Sequence, residues 1–222
     1  MTPPILLEPV FTPAAAVVAR GPVAILRQAI VDTDRQVYGH EWRSPATLAD
    51  QRPHASNSWL EQALTQLAQP LPQGKGTVGH ASRVFVPISH TQTAQLASLA
   101  QPTAHRWVAE ISPTEHDTPA QIRSLTDTLE RLQARGVRLS FDHTVLTPAY
   151  AAWLPLANYI RMDIGRLESG AFERLACCAQ TYSHARLVAT QIRDAGQVVQ
   201  VTGYGIQLLQ GDWLSPASLM PA

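Results

Sequence analysis

The sequence predicts an α/β fold, a modified TIM-type (β/α)8 barrel with an antiparallel strand at its start, and three observations carry that prediction. Eight short β-like runs follow one another along the 222 residues. Helical patterns lie between most of them, and because parallel neighbours need a crossover connection, strand and helix in alternation predict a mostly parallel sheet with helices outside it. The first two runs are joined only by Thr33, Asp34 and Arg35, too few residues for a crossover, so that pair is expected to be an antiparallel hairpin.

In order, the strand runs are AILRQAIVD (24–32), QVYGHEW (36–42), RVFVPIS (83–89), RWVAEIS (106–112), VRLSFDH (137–143), YIRMDI (159–164), RLVATQI (186–192) and IQLLQGD (206–212). Between the second and third, residues 56–69 place Trp59, Ala63, Leu64 and Leu67 on one helical face. The clearest helix spans 118–136, where Ile122, Leu125, Leu129 and Leu132 form one apolar stripe. Thr118 can cap its start with Pro119 at the first helical position, and Gly136 supplies a left-handed stop. Residues 168–180 repeat the pattern with Phe172, Leu175 and Ala179. The stretch DAGQVVQVTGYG (194–205) carries β-branched residues that suggest a strand, yet it falls where a crossover between parallel strands is required. The Gly- and Pro-rich stretch 68–83 reads as a surface loop. Residues 1–20 are read as an N-terminal extension and 21–222 as one barrel domain, with no internal repeat and no second domain.

Composition excludes several function classes. With 45% apolar residues, 15% charged residues and 17 basic against 17 acidic side chains, no basic surplus points to nucleic acid or an anionic membrane. The apolar stretch near the start is broken by Arg20, Gly21 and Pro22, so no membrane span or signal peptide is expected and the protein reads as cytoplasmic. Cys177 and Cys178 are adjacent in a helical pattern where neighbouring side chains diverge, which favours buried thiols over a disulfide framework. Gly-Tyr-Gly at 203–205 and Gly-Lys-Gly at 74–76 lack the strand-to-helix setting of a phosphate loop and read as turns. His54, His80, His90, His105, His116 and His184 show no paired ligand spacing, and Ser89 beside His90 makes no nucleophile motif. Trp42 reads as a barrel-core residue, though pointing outward it would make a partner anchor.

Chemistry in such a barrel sits at the C-terminal ends of the strands. Those positions hold Glu41, Pro87, Glu110, Asp142 with His143, Arg161 with Asp163, Thr190 and Gln210. Carboxylates from three different strands could converge on magnesium, calcium or manganese. The competing interpretation is that each acid is solvated or paired with a neighbouring arginine.

By motif order and spacing the chain resembles the EAL domains that hydrolyse cyclic di-GMP, across nearly its whole length. RQAIVDTDRQVYGHE resembles the family's opening segment, with Gln28 at its glutamine and Glu41 at the glutamate of the Glu-Ala-Leu signature. FVPIS resembles the family's FVNLS strand, AEIS its LEITE strand, LSFDH its LALDDFG strand and YIRMDI its YIKID strand; LVATQIR falls where VVAEGVE is expected, and LLQGDWLSPA is similar to the closing VQGYLFSRP. The opening segment is closer to the divergent EAL-like branch often found ahead of an HDOD domain than to active enzymes.

What the resemblance implies about function lies in the departures. Active members hold two divalent ions with carboxylates and one asparagine and activate a water between them. Here Pro87 stands at the asparagine, His143 at the second aspartate, Arg161 at the lysine and Thr190 at the late glutamate, and HTVLTP replaces the DFGTG loop. Glu41, Glu110 and Asp142 are then vestigial metal ligands, with weak magnesium or manganese binding to one ion as the most they retain, and no cofactor is expected. Gln28, Asp163 and Gln210 remain at positions in or beside the family's substrate cleft. Unpaired acids repel a dianionic dinucleotide. The resemblance therefore implies a catalytically inactive domain acting through an unidentified protein partner, with a non-hydrolysing cyclic di-GMP receptor as the alternative and a residual phosphodiesterase behind it. Oligomerisation is compatible with the sequence.

Overall fold

The hairpin expected from the short connection opens the fold. In the computed structural model, which describes residues 23–49, 55–68, 83–98, 106–114 and 117–220, β1 (Leu26–Asp32) and β2 (Val37–Arg43) run antiparallel with Gln28 opposite Glu41. The turn between them is held by Asp32, whose Oδ1 accepts from the amides of Asp34 at 3.0 Å and Gln36 at 2.8 Å. Arg35 takes a left-handed φ of 60° there, which lets the strands leave with their natural twist.

Six further strands follow in the expected order: β3 (Arg83–Pro87), β4 (Trp107–Ile111), β5 (Arg138–Asp142), β6 (Tyr159–Asp163), β7 (Arg186–Thr190) and β8 (Leu208–Leu209). Each is parallel to its predecessor from β2 onward, and β8 closes on β1 antiparallel, Val31 opposite Leu209. The result is a closed eight-strand barrel in which β1 alone is reversed. Its reversal matters for the site, because it brings the start of β1, with Gln28, to the end where the other strands finish. A short β9 (Ser218–Leu219), not expected from the sequence, pairs with Leu26 and Arg27 on the half of β1 that β8 leaves open.

Among the described residues six α-helices are present: α1 (Pro45–Ala49), α2 (Asn57–Ala68), α3 (His90–Ser98), α4 (Pro119–Ala134), α5 (Ser169–Tyr182) and α6 (Ala195–Gly203). In α4 the Thr118 hydroxyl accepts from the Gln121 amide at 3.3 Å while the Gln121 side chain accepts from the Thr118 amide at 2.8 Å, a capping box that starts the helix where Pro119 permits. Gly136 stops it with φ 88°. Its buried Ile122, Leu129 and Leu132 face the sheet, each contributing about 1.5–3 kcal/mol. The ambiguous stretch 194–205 is the crossover helix α6, started by Asp194, whose Oδ1 accepts from the Gln197 amide at 2.8 Å. Here the need for a crossover outweighs the β-propensity of Val198, Val199 and Val201.

Neither α1 nor α3 was expected. The segment of α3 is mostly polar, and buried Gln92 holds its start by accepting from the Ser89 amide and donating to the Ala55 carbonyl, both at 2.8 Å. The thiols also differ from expectation. Phe172, Ala176 and Ala179 form the inward stripe of α5, which turns Cys177 out to solvent and leaves Cys178 half-buried, both as free thiols. Trp42 is 4% exposed and belongs to the core. Ile30, Phe85, Val108, Tyr159, Val188 and Leu208, one from each of six strands, form an inner cluster separate from the larger core beneath the helices. The extension 1–20 and most of the loop 68–83 lie outside the described residues. Among the described residues no helix is long and apolar enough to cross a membrane.

Candidate functional site

Strand alternation decides which side chains meet at the C-terminal end of the barrel. Glu41, Pro87, Glu110, Asp142, His143, Arg161, Asp163 and Thr190 all line one cavity there, of about 540 Å³. The acids on β2, β4 and β5 therefore share one end, as the barrel prediction requires. Gln28 and Gln210 sit beside it, hydrogen-bonded into the same network.

Arg161 is the centre of that network. From β6 its Nη1 lies 3.3 Å from Glu41 Oε1 and in close ionic contact with Glu110 Oε1, while Nη2 donates to Gln210 Oε1 at 2.7 Å. A fixed cation thus stands between the two glutamates. Arg43, two residues after Glu41 and hence on the same face of β2, adds a second guanidinium, with Nη2 at 2.6 Å and Nε at 2.7 Å from Glu41 Oε1. Gln210 donates its amide to Glu41 Oε2 at 2.5 Å and to Gln28 Oε1 at 2.9 Å, and Gln28 in turn donates to Asp212 at 2.9 Å. The backbone that presents Gln210 is drawn close to β7: a Cβ on Gly211 would come within 2.1 Å of the Ile192 carbonyl oxygen, so only glycine fits.

Glu41 is only 2% exposed. Burial pushes its carboxyl up, but the guanidinium groups of Arg161 and Arg43 and the Gln210 amide outweigh it and hold the group below the usual carboxylate range. Burial draws the Arg161 guanidinium below its ordinary value, against the field of Glu41, yet a guanidinium stays charged at any physiological pH. The expected cleft of three unpaired acids is therefore not what the chain builds. Two of the three are neutralised by arginine, as the competing interpretation of strand-end acids allowed.

The other candidates stand apart from that centre. Asp142 turns Oδ1 onto the Thr144 amide at 2.8 Å and caps the 3-10 turn at 143–146, which His143 opens. Asp163 accepts from the Gly165 amide at 2.8 Å and meets Arg166 at 3.4 Å. Buried Thr190 reaches the Met162 carbonyl at 3.4 Å, and Pro87 offers the cavity no donor atom from its ring. Among the described residues no group of three His, Cys, Asp or Glu side chains is placed to hold a metal ion. The residues present do not fit a pair of divalent cations, because the glutamates that would bind them already hold a guanidinium.

Several residues that line this site, Arg166 among them, were not singled out from sequence. Arg43 could have been, from its position two residues beyond Glu41 on one strand. Ser140, whose buried hydroxyl has no hydrogen-bond partner, and Gln191, which lines the cavity with φ 63°, carry no sequence signal of their own. Trp42 and Glu110 also line the cavity, and Trp42 Nε1 and Glu110 Oε2 are buried without hydrogen-bond partners.

A closed barrel with one reversed strand and its polar residues gathered where the other strands end is the architecture of EAL domains, and comparison with solved structures gives that fold. The EAL-domain protein YkuI of Bacillus subtilis, in complex with substrate c-di-GMP and calcium, matches with a TM-score of 0.62 at 17% identity, over 89% of this chain and 56% of that one. The FimX EAL domain of Xanthomonas citri, in complex with c-di-GMP, matches with 0.62 at 14% identity, over 87% of each chain. An EAL-domain protein of Listeria monocytogenes matches with 0.62 at 16%, again over 87% of each. The chain thus spans just over half the length of YkuI and most of the other two. No protein-family model and no curated protein matches the sequence.

Proposed function

We propose that the chain is a non-hydrolysing EAL-type domain of cyclic di-GMP-related bacterial signalling, acting in the cytoplasm by binding another protein. The observation that supports this most is Arg161, whose guanidinium occupies the space between Glu41 and Glu110. Two-metal phosphodiester hydrolysis needs two cations about 3.5 to 4 Å apart, held by carboxylates with charge to spare. Here that charge is spent on arginine. Pro87 and Thr190 cannot replace the lost ligands, and weak magnesium or manganese binding would require Glu41 and Glu110 to release a buried ion pair.

A second reading, a cyclic di-GMP receptor without turnover, is favoured by the cavity itself. Arg43, Arg161 and Arg166 line it and offset its acids, so the repulsion expected between cleft and dinucleotide is reduced.

Calorimetric titration with cyclic di-GMP, in chelator and then with magnesium or manganese, together with a hydrolysis assay, tests both. The expected outcome is no turnover and no submicromolar binding. Submicromolar binding in chelator at physiological salt would establish the receptor reading instead. Metal-dependent turnover abolished by Glu41→Ala would overturn both.

A further inference from the structure

The opposite end of the barrel carries a second polar cluster. Arg83, Arg138 and Arg186 are the first residues of β3, β5 and β7, each two positions before an inward-facing residue, Phe85, Ser140 and Val188. Tyr159 on β6 and Tyr38 on β2 complete it. Tyr38 falls where the β1–β2 register shifts, between the pairs Ile30/Gly39 and Val31/Val37, and such a bulge re-aims a side chain.

Around the Tyr38 hydroxyl, Arg83 and the two phenols bring more donors than acceptors. Arg83 donates from Nη1 to the Tyr38 hydroxyl in a short contact, and that hydroxyl lies 2.6 Å from the hydroxyl of Tyr159. Burial and the Tyr38 hydroxyl push the Tyr159 phenol up. In the contact between the phenols only one of the two hydroxyls donates and the other accepts. Arg83 Nε is buried and also has no partner. Arg186 stacks its guanidinium 4.5 Å from the Tyr38 ring centre, and Arg83 lies 5.1 Å from it. Among the described residues no carboxylate pairs with Arg83 or Arg186. Asp32, at the same end of β1, turns Oδ1 onto the Asp34 and Gln36 amides.

We propose that this end of the barrel binds a phosphate group through Arg83 and Arg186, the two guanidinium groups gathered at the Tyr38 ring, with a phenol of the Tyr38–Tyr159 pair as a third donor. Concentrated positive charge, the unpartnered Nε of Arg83 and, among the described residues, no carboxylate paired with either arginine define a site for an oxyanion. Donors arriving from separate strands suit a tetrahedral dianion better than a planar carboxylate. The site lies at the other end of the barrel from Glu41 and does not depend on the reading given for that cavity.

The test uses the full chain with inorganic phosphate as the probe, against chloride at matched ionic strength, followed by thermal denaturation and phosphorus NMR. Phenyl phosphate and acetate serve as further arms. The expected result is a saturable rise in Tm with phosphate but not chloride, and affinity at least tenfold weaker in Arg186→Gln and in Arg83→Gln. Arg186 is exposed, so its variant carries the test if Arg83→Gln does not fold. Phenyl phosphate binding as well as inorganic phosphate would identify a phosphomonoester as the fitting ligand, and weaker binding the free ion; either outcome supports a phosphate site. Equal response to chloride or acetate would overturn the proposal, as would phosphate binding unchanged in both arginine variants, which would mean an adventitious ion only.

Discussion

At the scale of single residues, Arg161 decides more than any other side chain. It is buried with Glu41 and Glu110, and removing one partner of a buried ion pair leaves an uncompensated charge that costs about 3–5 kcal/mol. Arg161→Met keeps much of the volume and removes the charge, so a loss of stability of about that size is expected in chemical denaturation at neutral pH. The pH dependence has a definite sign. Because the folded-state pKa of Glu41 is depressed, its contribution is present above the ordinary carboxylate value of 4.5 and is lost as pH falls through the lower folded value. The gap between wild type and Arg161→Met should therefore narrow in acid. A gap that stays constant from neutral pH to below 4 would show that Arg161 acts by packing alone.

At the scale of elements, local chemistry and the demands of the barrel contribute in different proportions. Helix α4 is almost wholly local: stripe, cap and stop are all written into 118–136, and its boundaries follow them. Thr118→Ala removes the hydroxyl that accepts from the Gln121 amide, so a loss of about 1 kcal/mol is expected in urea denaturation, with the slope unchanged. A loss no larger than that of an exposed control threonine would mean that Pro119 and tertiary packing alone hold the start. Helix α6 lies at the other extreme, since its valines argue for a strand and only the parallel pairing of β7 with β8 requires a crossover. The same division explains what the sequence did not reveal. The hairpin was legible because three residues cannot cross over, whereas α3 has too few apolar positions to announce itself and β9, at two residues, has no periodicity to read. The exposure of Cys177 turned on whether Leu175 or Ala176 leads the inward stripe of α5, a rotation that residue pattern alone does not settle.

At the scale of the whole molecule, barrel closure brings Arg161 on β6 to Glu41 on β2 and Glu110 on β4, strands that are not neighbours in the sheet. That explains why the residues of the site could be named from their strand-end positions while their pairing could not: contact across the lumen depends on register all the way round. It also changes what a restoration must include. Pro87→Asn, His143→Asp and Thr190→Glu together return the missing ligand types, and ligands that act as a unit should improve divalent binding together more than singly. With Arg161 still in place, however, an incoming cation must compete with a guanidinium for Glu41 and Glu110. Adding Arg161→Lys replaces that planar fork by a compact ammonium that makes fewer directed contacts. Manganese affinity, followed as the metal-dependent shift in Tm and by calorimetry, should be at least tenfold tighter in the fourfold variant than in the threefold one. Equal affinities would mean that Arg161 yields readily to a metal, and the argument that its ion pairs exclude catalysis would then fail.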